Sequence, residues 1–542
     1  MLIFITVIIT KAQLSLIVEE FKGNFKENYG WTIQNGQKEL EKCNSQTIFG
    51  SFGSNTIVSK LFQLPKHSQI NLSLDLWSPE FDGGIKVYVD QVEVHDKSEQ
   101  IKCSENKNII RKWNNTLIHS GNSVIIVLSG TGEQIDYKWG FTNLEIQVEK
   151  CQIGCQVCNY EDTFEECLLW QQFQNSWTSI QQNYLGQDGW ASSSGISGTT
   201  ECGGVPLIGG FNKFGQKLSL SKTIKLRPHY KIRLLVLWAK IDSWDNEKAQ
   251  ILFDGKEIWS KNYNINDGYI NKICGNSEIQ FKTQFERIDA VGDHTGDQIQ
   301  ITFTTTLDQN SNDESFGLRD LQLFYAPCSE DCKECSGPQF RDCTRCLYNY
   351  ILQDQNCQKL QNFYILETDF HSEKFTNSFG WILQNTTVDT IISYCLDKSI
   401  LGGFGILGVG ASAKKQFIIP NHKRLRLQIV LYKIDSWDNE KIFILVDNVE
   451  IWSTVWNHAN EANFCGQDWT DQKQYVDIIF DHTKLDTLIE ISSTLNQNAN
   501  DESWGFREFT LMYDLANIIQ IIPTYQSITS VLTLILIFII NI

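Results

Sequence analysis

The chain predicts an all-β protein built as three tandem jelly-roll-like β-sandwiches joined by small disulfide-rich modules. Short runs alternate apolar and polar residues, are rich in β-branched and aromatic side chains, and are separated by turn residues, with almost no stretch of helical period. One ordered set of markers recurs three times. Cysteines fall as one pair inside each repeat and as dense clusters between repeats, the pattern of small segments that cannot bury a core of their own.

At 542 residues the chain is too long for a single core. Its 42% hydrophobic and 12% aromatic content argues against general disorder. A formal charge of −18 offers nothing basic to displace counterions from phosphates, which argues against a nucleic-acid partner. Residues 1–12 open with an apolar run, Leu2 to Thr10, closed by Lys11-Ala12 before Gln13; they resemble a secretory signal peptide, though without a basic start. Sixteen cysteines, an even number, fit an oxidised extracellular chain, in which the sequons at Asn71, Asn114 and Asn385 become N-glycan acceptors.

The first repeat covers residues 13–149, the second 169–326 and the third 360–514. Each begins with a Gly-Trp (Gly30-Trp31, Gly189-Trp190, Gly380-Trp381) and continues with a cysteine (Cys43, Cys202, Cys395) and a glycine-rich loop holding Phe52, Phe211 or Phe404. A Pro/His turn follows (Pro65-Lys-His67, Pro228-His229, Pro420-Asn-His422), then a long apolar strand. Next come a strand ending in Asp (Asp90, Asp254, Asp447), a second cysteine (Cys103, Cys274, Cys465) and a late His (His119, His294, His482). Trp139-Gly140, Phe316-Gly317 and Trp504-Gly505 lead into the last strand. The economical disulfides are Cys43–Cys103, Cys202–Cys274 and Cys395–Cys465, the only pair inside each copy. Each late His stands alone with no repeated Ser or Cys nucleophile, so it predicts a buried structural histidine and no enzyme.

Two cysteine-dense inserts separate the copies, at residues 150–168 and 327–359. The second, Cys328-x3-Cys332-x2-Cys335-x7-Cys343-x2-Cys346-x10-Cys357, resembles the furin-like cysteine-rich repeats of growth-factor-receptor ectodomains, and the first is a shorter version. A zinc site is the competing reading of the Cys-x-x-Cys pairs. With these inserts the whole resembles the cysteine-rich surface proteins of ciliated protozoa. The sandwich copies are loosely similar to MAM or concanavalin A-like domains of adhesion proteins, which implies an architecture and no functional residues.

The functional clue is polar. Lys240-Ile-Asp-Ser-Trp-Asp-Asn-Glu-Lys248 returns as Lys433-Ile-Asp-Ser-Trp-Asp-Asn-Glu-Lys441, and Asn312-Asp-Glu-Ser-Phe-Gly317 returns as Asn500-Asp-Glu-Ser-Trp-Gly505. If the two loops of a copy meet, Asp242, Asp245, Asn246, Glu247, Asp313 and Glu314 converge in copy two, and Asp435, Asp438, Asn439, Glu440, Asp501 and Glu502 in copy three. Calcium takes six to eight such oxygens. The alternatives are Asx-turns with Trp244 and Trp437 packed inward, or direct sugar contact. The first copy lacks the set, reading Trp77-Ser-Pro-Glu-Phe-Asp-Gly-Gly84 and Asp136-Tyr-Lys-Trp139, yet keeps its sandwich markers.

Residues 515–542 carry no charge and end on an apolar run with no basic stop, which predicts a GPI signal with Asp514 as the attachment residue, or else a terminal membrane helix. The expected protein sits on the extracellular face of the plasma membrane and serves adhesion or recognition of a glycan or protein, with calcium as its cofactor. The rivals are a passive coat protein and a glycan-processing enzyme.

Overall fold

The structure, a computed structural model, describes residues 14–515 apart from segments at 81–83, 95–99, 104–107, 133–136, 152–154, 159–168, 196–197, 270–271, 277–280, 348–349, 354, 360–362, 396–397, 458–462, 464 and 468. The signal-like residues 1–12 and the tail 516–542 lie outside the described residues. Among the described residues no helix is long and apolar enough to cross a membrane.

Each copy is a pair of antiparallel sheets, and the order of the shared strands is the same in all three, with copy one adding an edge strand, Gln100–Lys102. In copy two one sheet runs Thr199–Cys202, Val205–Gly209, Glu314–Pro327, His229–Asp242, Gln284–Asp293, with Gln171–Ser176 also paired to Glu314–Pro327. Its partner sheet runs Ala191–Ser192, Ser219–Lys225, Gln298–Thr305, Lys248–Phe253, Lys256–Asn262. Alternation sets which face is buried. In Gln298–Thr305 the side chains of Ile299, Ile301 and Phe303 enter the core, while Gln298, Gln300, Thr302 and Thr304 face away. They meet Ile232, Leu234, Val236 and Trp238 of the opposing sheet. Copies one and three build equivalent cores around Trp31 and Trp381.

Each sandwich holds its own disulfide, Cys43–Cys103, Cys202–Cys274 and Cys395–Cys465. The inserts close on themselves through Cys151–Cys158, Cys328–Cys335, Cys332–Cys343 and Cys346–Cys357, and Cys155 is disulfide-bonded too. Among the described residues no cysteine is free. This overturns the zinc alternative, because a sulfur committed to a disulfide is no thiolate ligand.

The chain divides into two compact units. One holds copies one and two with most of the second insert, and the other holds Leu347–Gln353 and copy three. Copies one and two are therefore packed together, whereas three spacer-separated modules were expected. The cause lies in one strand. Ser123–Gly130 is buried on both faces, with an unbroken apolar run from Val124 to Leu128, as strands covered on two sides are. Its Ile125 and Val127, with Ile57 and Tyr88, pack on Val205, Leu207, Leu237, Ala239 and Phe285 of copy two. The polar part of the joint is Arg287, whose guanidinium lies 2.6 Å from Asp320 and 3.4 Å from Asp90 and donates to the Ser123 carbonyl at 2.6 Å. Tyr269 donates its hydroxyl hydrogen to the Asp90 carbonyl at 2.7 Å.

The cysteine-rich inserts lean on a second repeated device. Arg233 and Arg426 are buried, each bidentate to a carboxylate across the strand pair, Asp289 and Asp477. Arg233 lies over the Trp170 ring, and Val157 of the first insert packs on Leu235 and Phe324. Arg426 donates to the Tyr350 carbonyl at the end of the second insert.

Candidate functional site

The repeated acidic loop begins where a long strand, His229–Asp242 or His422–Asp435, runs out. Its indole is the anchor. Trp244 and Trp437 are fully buried and donate Nε1–H to the carbonyls of Ser315 and Ser503 at 3.0 and 2.9 Å. Lys240 and Lys433 are buried as well and are capped by backbone carbonyls, among them Lys282 at 2.9 Å and Asp435 at 2.7 Å. Burial pushes the Lys240 ammonium down to about 8, since the charged form loses solvation.

The twelve carboxylate and amide residues predicted as one ligand set per copy divide into two groups. Asp242 and Asp435 are corrected to a structural role. They take φ of 67° and 64°, which Asp tolerates better than most residues. Asp242 pairs with Lys272 at 2.6 Å and accepts the Asn276 amide at 2.8 Å; Asp435 accepts the Gln467 amide at 3.0 Å. The glycine after each second cysteine makes this approach feasible. A Cβ on Gly275 would sit 2.3 Å from an Asp242 oxygen, and one on Gly466 2.2 Å from Asp435. Asn246 and Asn439 turn the chain at φ of 103° and 96° and pair through their backbone amides with Tyr263 and Trp456. Asp313 and Asp501 accept the hydroxyls of Ser243 and Ser436 at 2.8 and 2.7 Å, which ties the two loops together. These six are turn and loop-tying residues: the aspartates are held by neighbouring donors and the asparagines by their backbone turns.

The other six do converge. Oxygens of Asp245, Glu247 and Glu314 lie within 4.8 Å of one another, and so do those of Asp438, Glu440 and Glu502. Glu314 and Glu502 are wholly buried, at 0% exposure. Among the described residues no Lys, Arg or His pairs with any of the six. Glu247 and Glu440 accept the backbone amides of Asp245 and Asp438 at 2.5 Å, and Glu440 also accepts the Asn496 side-chain amide at 3.1 Å. Glu314 accepts the Gln309 amide at 3.2 Å through Oε2, and its Oε1 has no hydrogen-bond partner. Burial, then repulsion from Glu247, pushes the Glu314 carboxyl up to about 7; burial and Glu440 do the same to Glu502. A buried carboxylate with an unmet oxygen beside two more carboxylates is stable only when a proton or cation offsets the charge. In copy one the position two residues before the Trp-Gly is Tyr137, buried and neutral, with its hydroxyl on the Gly84 carbonyl at 3.1 Å.

The remaining predicted sites fare differently. Asn114 and Asn385 are exposed. Asn71 is corrected: it is buried on the long strand of copy one, and both its amide hydrogens are used, to Asn114 Oδ1 at 2.7 Å and Thr116 Oγ1 at 2.9 Å. A glycan does not fit there. Asp514 is corrected as well. It lies inside the last strand, Glu502–Leu515, and accepts the amides of Lys423 and Arg424 at 2.9 and 2.7 Å, so it is a strand residue and not a free attachment point. One feature escaped the sequence: a polar surface hollow of about 340 Å³ in copy two, lined by Gln174, Asn175, Ser176, Thr178 and Asp188, with Tyr184 standing 76% exposed at its rim.

No protein-family model matches the chain, and no curated protein matches it. Solved structures do. The tandem CBM22-1–CBM22-2 domains of Xyn10C from Paenibacillus barcinonensis share 10% identity over 59% of this chain and 99% of theirs, with a TM-score of 0.21. Tandem CBM51 modules of Sp3GH98, a family 98 glycoside hydrolase from Streptococcus pneumoniae, share 11% over 65% of this chain and 99% of theirs, with a TM-score of 0.16. The extracellular domain of ANXUR2 from Arabidopsis thaliana shares 10% over 60% of this chain and 97% of its own, with a TM-score of 0.20.

Proposed function

We propose that the protein is an extracellular, membrane-anchored recognition protein whose second and third sandwiches each bind a calcium ion, through Asp245, Glu247 and Glu314 and through Asp438, Glu440 and Glu502. The observation that carries this is the buried Glu314, one oxygen unpartnered, facing two more carboxylates, in an arrangement of acids that copy three repeats and copy one replaces with Tyr137. Oxygen-only ligands suit a hard cation, and no His or Cys joins either cluster. The remaining positions of a calcium shell would fall to main-chain carbonyls and water. The disulfides throughout the described residues support an oxidising compartment, and the apolar tail supports an anchor. Cysteine-stapled modules between sandwiches fit the ciliate surface proteins that the chain resembles. Two like sites on one chain suit multivalent binding better than turnover. The ligand is a glycan or a protein; the exposed Tyr184 ring above an amide-lined hollow favours a sugar.

Titration calorimetry and thermal melts of the full chain with calcium or chelator test the metal. Calcium at a hundredfold excess over its dissociation constant stabilises a site by about 2.7 kcal/mol. Asp438→Asn with Glu440→Gln should remove the response of copy three and spare copy two. A flat response of the wild-type protein at millimolar calcium would return the acids to a purely structural role. Glycan-array binding that needs calcium separates recognition from a passive coat.

A further inference from the structure

Three markers that the carboxylate clusters leave unused, the Pro/His turn, the Asp ending a strand and the late His, meet in space in every copy. In copy one His67 Nδ1 lies 2.6 Å from the Pro65 carbonyl, His67 Nε2 lies 2.8 Å from His119 Nδ1, and His119 Nε2 lies 3.0 Å from Asp90. Copy two repeats the chain as Arg227 carbonyl, His229, His294 and Asp254 at 2.6, 2.7 and 3.0 Å. Copy three has Pro420 carbonyl, His422, His482 and Asp447 at 2.6, 2.8 and 3.2 Å. The second oxygen of each Asp accepts a backbone amide, from Ile125, Gln300 or Leu488. The paired rings are nearly parallel, with centroids 5.0–5.1 Å apart. All six are at most 9% exposed.

Counting hydrogens decides what such a chain holds. Three consecutive bonds, carbonyl to ring, ring to ring and ring to carboxylate, need three hydrogens. Two neutral imidazoles bring one each. The third comes from solvent. A fourth would set two N–H groups head to head between the rings. We propose that each sandwich contains a proton-binding site, a His–His–Asp relay with buried rings that holds one proton beyond its two neutral imidazoles and takes it up when the sandwich folds. The ligand is the proton itself, charge-balanced by the aspartate.

The surroundings agree. Asp90 stays ionised, held down at about 2 against its own burial by Arg287 and His119. Asp254 and Asp447 are likewise lowered against their burial, by His294 and the Gln300 amide in one case and by the Leu488 amide, His482 and Lys484 in the other. The ring next to the carbonyl resists a proton in copies one and two: burial and then His119 hold His67 down at about 4, and burial holds His229 there. The groups facing the relay differ between copies. Arg287, backed by Asp320, and the Tyr269 hydroxyl stand at Asp90. The Tyr325 ring packs on His229. Lys484 and the Phe480 ring stand at the third relay. In copy one the relay ends on the carboxylate that binds Arg287 across the joint, so its proton is linked to the packing of copy one on copy two.

The sign of the linkage follows. Above about pH 6.5 unfolded imidazoles are neutral, so folding takes up a proton and stability falls as pH rises. Below it both unfolded imidazoles are charged while the relay keeps one proton, so stability falls again toward acid. The experiment uses the full chain carrying Glu314→Gln and Glu502→Gln, which keeps the carboxylate clusters silent and makes the outcome independent of calcium. Nitrogen-15 imidazole NMR at pH 7.5 should show three ring pairs, each with one nitrogen-to-nitrogen shared proton. Adding His294→Gln should abolish one pair. It should also make the folding constant, relative to the parent, lose about tenfold less per pH unit above pH 7. Six rings titrating independently near the ordinary histidine value would overturn the proposal, as would two neutral rings in each pair at pH 7.5. If the His294→Gln protein does not fold, the proton count on the parent rings decides alone.

Discussion

Glu314 and Glu502 carry the clearest single-residue consequence. Their carboxyls sit at about 7, above the ordinary glutamate value, because of burial and a neighbouring acid. A raised folded value means that the folded state keeps a proton the unfolded state has lost. The stability it contributes is present below about pH 4.5 and is lost as pH climbs through 7. Urea midpoints in chelator should therefore fall over that range, and calcium should flatten the trend by taking the proton's place. Glu314→Gln should raise stability in chelator at pH 8 by about 1–3 kcal/mol, since it removes an unmet buried charge, and should abolish the calcium response of copy two. No gain in chelator would show that a hidden partner already satisfies the carboxylate. The sequence flagged these residues without ranking them. Asp242 and Glu247 look alike in Ile-Asp-Ser-Trp-Asp-Asn-Glu, and only the approach of Lys272 and Gly275 makes the first structural.

At the scale of elements, the strand Ser123–Gly130 distinguishes copy one. Its counterparts Gln298–Thr305 and Asp486–Ser493 alternate, whereas it reads Ser-Val-Ile-Ile-Val-Leu-Ser-Gly. An unbroken apolar run of this kind is the local signature of a strand covered on both faces; which surface covers it is decided by tertiary packing. The joint has a buried charge at its centre, and removing the cation strands two buried carboxylates. Arg287→Met should cost about 3–5 kcal/mol in urea denaturation, and adding Asp320→Asn should recover part of it. Equal loss with and without Asp320→Asn would mean that packing of the arginine stem, not charge, holds the joint. The within-sandwich disulfides act on a different state. Cys202 and Cys274 enclose a separation of 72 residues, so replacing both with Ala should cost about 4 kcal/mol through the unfolded chain.

For the whole molecule, three repeats do not make three independent bodies. Copies one and two share a unit, and copy three belongs to another. Differential scanning calorimetry of the full chain in chelator should show two transitions, not three. Calcium should raise both, because each unit holds one carboxylate cluster. Three resolved transitions would separate copy one from copy two and remove the joint as a stabilising contact.

The sequence by itself determined the sandwiches and their number, because period-two alternation and thrice-repeated markers are local and survive without knowledge of contacts. It also determined the sandwich cysteine pairs, since each copy offers only one. Tertiary structure decided the rest. Pro65-Lys-His67, Asp90 and His119 are separate markers along the chain, and only strand pairing brings them into one hydrogen-bonded line. Asn71 reads as a glycan acceptor until its neighbouring strand sets Asn114 and Thr116 against it. Three of the six predicted ligands in each repeated set became a cluster and three became turn or loop-tying residues, because backbone direction and nearby donors, which no local pattern encodes, fix where each side chain points.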